Sequence, residues 1–224
     1  AQITTVHAEI LLYPERGIIR LKRNMNEAPL HAYQMIPLAV AGYVLGTGLI
    51  LSHLLALINN KAFMEFTRKS ARNTMLAQIT LGIAIIWFFL LIGPENMGIF
   101  SKMRVNLSEF ESIRWLLQLA CPVFFFLLAT QVKELLFPRA LGMLGLLAVS
   151  PFMTAAFLKE PATRILIPLW GYVVVILCLF WVGKPYLYRD MTHWLTASVK
   201  RWNAFCIAGI CYGIAVLTCA ILFW

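Results

Sequence analysis

Six stretches of the chain, 35–58, 74–93, 115–132, 140–158, 165–183 and 203–224, each run for about 18 residues or more without an Asp, Glu, Lys or Arg. A spanning helix must cross a hydrocarbon core about 30 Å thick, and runs of this length meet that demand. The pattern predicts an all-α, polytopic integral membrane bundle of about six transmembrane helices. Charged residues are confined to the ends and to the connections.

One connection has a pattern of its own. Between the last two spans, Leu187, Met191, Trp194, Leu195, Val199 and Trp202 recur at helical spacing. At 100° per residue they cover one face of about 140°, while Arg189, Asp190, His193, Lys200 and Arg201 fall on the other. This spacing predicts one amphipathic helix over 184–202 lying in the membrane interface, with Trp194, Trp202, Lys200 and Arg201 at headgroup depth.

Residues 1–34 form an extramembrane tail ahead of a transmembrane domain at 35–224. Within the tail, Tyr13-Pro14-Glu15-Arg16-Gly17 separates two apolar stretches. Pro in the second position of a type I turn, with Gly closing it, predicts a short hairpin. No basic segment followed by a short apolar core precedes the first span, so no signal peptide is expected. Pro122, Pro151 and Pro168 lie inside spans, where each removes a backbone hydrogen bond and is expected to kink its helix.

Composition agrees with the pattern: 61% of residues are hydrophobic and 13% charged, with a mean hydropathy of +0.78. The net charge of +9 is spread through short loops, so it reads as topology signal and lipid contact. A nucleic-acid partner is not expected. Lys and Arg divide almost evenly between the two sides, which leaves only a lean toward both termini outside and the 59–73 connection in the cytoplasm. The expected location is a bacterial cytoplasmic membrane.

Candidate chemistry is sparse. The five cysteines, Cys121, Cys178, Cys206, Cys211 and Cys219, sit within spans without a C-x-x-C pair, as small packing residues do. No nucleotide-binding, serine-hydrolase or zinc-protease motif occurs. Glu109 and Glu111 are expected to lie in the first turn of a helix capped by Ser108.

His53 is the pointed residue. It shares one face of the first span with Gly42 and Gly46, and the last span carries a matching pair, Gly209 and Gly213. The spacing predicts that the two spans pack through these glycines, with His53 pointing into the contact to form an interhelical hydrogen bond. Two alternatives use the imidazole as a ligand. A b-type haem needs a second axial ligand at matched depth, but His7 and His31 belong to the tail and His193 to a polar face. A quinone headgroup could meet His53 about 9 Å from the middle of its span. No cofactor is expected for the isolated chain.

These observations favour a non-catalytic integral subunit that anchors or scaffolds a larger membrane complex, an energy-transducing or electron-transfer one being the expected setting. Its expected partners are other membrane-protein subunits and lipids. A small-solute or lipid transporter, with Gln118, Thr130, Gln131, Ser150 and Thr154 along its path, is the alternative. A haem- or quinone-binding subunit centred on His53 is a further one.

Overall fold

The computed structural model describes residues 31–94, 98–105, 107–131 and 135–224, and the hairpin expected near Tyr13 lies outside them. The described residues form helices and no strand. Six of the helices are long and apolar enough to cross a bilayer: α1 (Leu38–Ile58), α3 (Thr74–Ile92), α4 (Arg114–Gln131), α5 (Leu136–Ala156), α6 (Leu166–Gly183) and α8 (Val199–Leu222). Two shorter ones, α2 (Asn60–Ser70) and α7 (Tyr186–Thr196), complete the set. The protein is an all-α membrane bundle.

Local chemistry sets the helix ends. α1 starts immediately after Pro37, whose missing N–H the helix would not have used. Asn73 caps α3, its side chain accepting from the Leu76 N–H at 3.0 Å, and Gly93-Pro94 ends that helix. Pro168 is the third residue of α6, where no intrahelical partner for its N–H exists, so it belongs to the start of the helix and the kink expected there is not required. Pro122 and Pro151 lie inside α4 and α5. α5 starts one turn earlier than the charge pattern implies and carries Arg139 in its first turn, where a long side chain can reach the interface.

α1 and α8 form the most extensive pair. α3 packs against both α4 and α5, and α5 packs against α6. Leu38, Ala41 and Leu45 of α1 share a core with Ala155 and Ala156 of α5, Ile167 of α6 and Val216 of α8. A second core joins Leu81 of α3 and Ala140 of α5 to Tyr188 of α7.

Two expectations need correction. The connection after α1, read as a loop, is helix α2, with Phe63, Thr67 and Ser70 on one stripe at helical spacing and Phe63 and Met64 packed on the core. The single interfacial helix expected over 184–202 is instead two elements. Ser198 is extended, with φ −143° and ψ 129°, so α7 ends before it and Val199 opens the spanning helix α8. Lys200, Arg201 and Trp202 therefore stand in the first turn of a membrane span.

Candidate functional site

The glycines of α1 and α8 set how closely the two helices approach. A Cβ on Gly46 would stand 3.0 Å from the Gly213 carbonyl oxygen, and one on Gly213 would stand 3.0 Å from that of Gly46. Gly42 faces Ala220 and Trp224, and Gly209 faces His53. Contact partners rise along α1 as they fall along α8, so the pair is antiparallel. Backbones this close leave no room for larger side chains.

His53 is half-buried in this seam. Its Nδ1 donates to the Leu49 carbonyl one turn back, at 2.8 Å, with the Ser52 hydroxyl 3.2 Å from the same nitrogen. Since Leu49 can only accept, Nδ1 carries the proton in the neutral ring. The Nε2 edge rests on Gly209, and the Phe205 ring lies 5.3 Å away, tilted by 46°. The interhelical hydrogen bond expected for His53 is replaced by this bond within α1, because Gly209 offers a bare backbone surface and no side-chain partner. For a haem, no second histidine among the described residues stands near it: His31 is bonded to the Met103 carbonyl, and His193 is exposed on α7.

Trp202 was expected at the interface and is buried, 4% exposed, with its indole N–H donating to the Ala56 carbonyl at 3.0 Å. It packs with Ala56, Leu195 and Cys206 beneath Phe63 and Met64 of α2. Trp194 is 60% exposed. The Arg201 guanidinium sits 4.9 Å over its ring and donates to its carbonyl at 3.3 Å. α7 buries Tyr188, Thr192 and Leu195 against the protein and leaves Leu187, Met191 and Trp194 on its other apolar flank. Tyr188 and Ser70 share a buried hydrogen bond of 3.0 Å that joins α7 to α2. Burial pushes the Tyr188 phenol above its ordinary range, and the Ser70 bond opposes this. Lys200 is exposed in the first turn of α8.

The opposite membrane face holds two knots that sequence reasoning missed. His31 Nδ1 accepts from the Tyr33 N–H at 3.1 Å, which leaves Nε2–H to donate to the Met103 carbonyl at 2.7 Å. Trp87 of α3 donates to the Tyr33 hydroxyl at 2.6 Å. The entry to α1 is thereby fastened to α3 and to the short helix Gly98–Met103. In the second knot, the buried Arg114 donates to the carbonyls of Gly93 at 3.3 Å and Val105 at 2.6 Å and pairs with Glu111 at 2.7 Å. Arg104 pairs with the same carboxylate. Ser108, expected at the cap, is the first residue of the short helix Ser108–Ile113, with Leu107 at the cap position, and its side chain lies outside the described set.

Among the described residues, α4 is held by Arg114 at its base, by its packing on α3, and by Phe125 and Leu128 against the second core. α3 packs on α4 and α5, while those two diverge and leave between them a half-open apolar crevice of about 350 Å³. Ile85 and Phe88 form its floor, and its walls are Cys121 and Phe124 on one side and Met143 and Leu147 on the other. Of the polar residues expected along a transport path, Gln118, Thr130, Ser150 and Thr154 do not line it. Gln118 donates to the Ile92 carbonyl at 2.8 Å, and Thr130 and Thr154 donate to carbonyls of their own helices. Ser150 is exposed on α5, and the side chain of Gln131 lies outside the described set. Among the described residues, no three of His, Cys, Asp or Glu come together as a metal site would require.

Comparisons with protein-family models, curated proteins and solved structures find no match.

Proposed function

We propose that this protein is a non-catalytic membrane-embedded subunit of a larger membrane complex, and that the crevice between α4 and α5 seats a helix of a partner subunit. The observation that carries the reading is the loose attachment of α4. Its span has about 11% of its residues buried within the chain, against 33% for α3 and α5. A helix held along one side and fixed at its base by an arginine presents its remaining faces for association. Apolar surface gains little by leaving lipid, so helix association in a bilayer relies on close packing. A wedge shaped by Phe88, Phe124 and Leu147 supplies such a surface.

Photo-crosslinking residues placed at Phe124 and Leu147 in native membranes test the reading. Both positions should capture the same partner protein. Ala120→Trp, which fills the crevice, should abolish capture without shifting the unfolding midpoint of the purified chain. Crosslinks to lipid alone at both positions would overturn the assignment.

A further inference from the structure

Two shallow apolar grooves meet at Phe180, whose ring lines both. One, of about 450 Å³, runs along α6 past Ile176, Leu179 and Gly183 and ends at Lys184. The other, of about 400 Å³, lies in the angle between α6 and α7, against Leu177, Met191 and Trp194. Gly183 keeps the first groove open: a Cβ added there meets nothing within 4 Å. Lys184 is one turn beyond Phe180 on the same face, its N–H donating to the Phe180 carbonyl at 2.7 Å. The lysine thus stands at the end of the first groove, one turn beyond the Phe180 ring that both grooves share.

We propose that this angle binds one anionic diacyl phospholipid, with an acyl chain on each side of Phe180 and the phosphate at Lys184. Charge complementarity selects the occupant. Lys184 is exposed, and none of the described carboxylates pairs with it. Arg201, held over Trp194, adds a second cation at the rim of the inner groove. The one carboxylate on the groove, Asp190, is paired with Arg189 at 3.1 Å. From Ile176 to Lys184 the helix rises about 12 Å, enough to guide the upper part of a chain from the headgroup toward the bilayer centre. Two grooves divided by one ring accept two chains, which distinguishes a diacyl lipid from a single-chain amphiphile.

Native mass spectrometry of the full chain, delipidated in detergent, tests the site with three probes: dioleoyl phosphatidylglycerol, dioleoyl phosphatidylcholine and oleoyl lysophosphatidylglycerol. Phosphatidylglycerol should bind as one retained molecule. Its preference over phosphatidylcholine should be roughly 30-fold, about five-fold from each cation. Lys184→Gln should remove about five-fold of this and the double variant with Arg201→Gln nearly all. Gly183→Leu sets its Cβ in open space and its branched end into the first groove, so it should weaken the diacyl lipid and spare the lyso lipid. Lys61→Gln, a cation of α2 away from both grooves, should change nothing. Equal binding of phosphatidylglycerol and phosphatidylcholine by the wild type would overturn the proposal. So would a Lys61→Gln loss matching that of Lys184→Gln, or wild-type affinity for phosphatidylglycerol in Gly183→Leu.

Discussion

Replacing Gly209 by alanine is the sharpest test of how α1 and α8 are held together. The new Cβ would lie 2.3 Å from Cδ2 of His53, 2.4 Å from Nε2 and 2.6 Å from Cγ. Rotation about the ring's own bond cannot relieve a clash that includes Cγ, so the whole imidazole must retreat or the helices must separate. Overpacking of this kind costs about 1–3 kcal/mol, and the Leu49 hydrogen bond lost by a displaced ring adds about 0.6. Alanine returns about 0.5–1 kcal/mol through its better helix propensity. The net expectation is a destabilisation of about 0.6–3 kcal/mol. In a His53→Ala background the clash is gone, and the same substitution should stabilise by about 0.5–1 kcal/mol. The cycle should therefore return a coupling of about 1.6–3.6 kcal/mol, since the helix-propensity gain cancels. Gly48→Ala is the internal control, since a Cβ there meets nothing within 4 Å. Reversible unfolding of the full chain by sodium dodecyl sulfate in mixed micelles, followed by helix circular dichroism, measures all four variants. A coupling near zero, or a Gly209→Ala variant as stable as Gly48→Ala, would refute the reasoning.

Other consequences can be measured in the same system. Trp202→Phe removes the donor to the Ala56 carbonyl and leaves a void where the pyrrole half of the buried indole stood, and should cost about 1–3 kcal/mol in the same unfolding assay. Ser70→Ala breaks the buried bond to Tyr188 and should lower stability by about 0.5–1.5 kcal/mol, with the Tyr188 phenol titrating still further above its ordinary range in ultraviolet absorbance. Arg114→Gln releases the base of α4 and should make the 98–113 connection more susceptible to limited proteolysis at protease levels that leave the wild type intact. Spin labels at His193 and Trp194 should differ, the first open to a water-soluble relaxant and the second to oxygen in the bilayer. The purified wild-type chain should show no Soret band after incubation with haem, and a band lost in His53→Leu would contradict the packing role given to His53.

The spans were legible in the sequence because the bilayer imposes a length and a composition that no tertiary contact can waive. The shared face of Gly42, Gly46 and His53 was legible for a similar reason, since it is a property of one helix and its 3.6-residue period. What each of those residues touches was not. His53 could be placed toward a neighbour, but whether its proton went across the interface or back to Leu49 depended on Gly209 standing opposite with nothing to accept it. The helix α2 carried a readable stripe in Phe63, Thr67 and Ser70, which its density of charge obscured. The break at Ser198 left no such trace, because the apolar spacing of α7 continues unbroken into α8 and only packing shows that Trp202 turns inward to Ala56 while Trp194 stays outside. His31 and Arg114 were unreadable for the same reason: each bonds to backbone carbonyls, which every residue possesses, and sequence cannot say which of them folding will bring within reach.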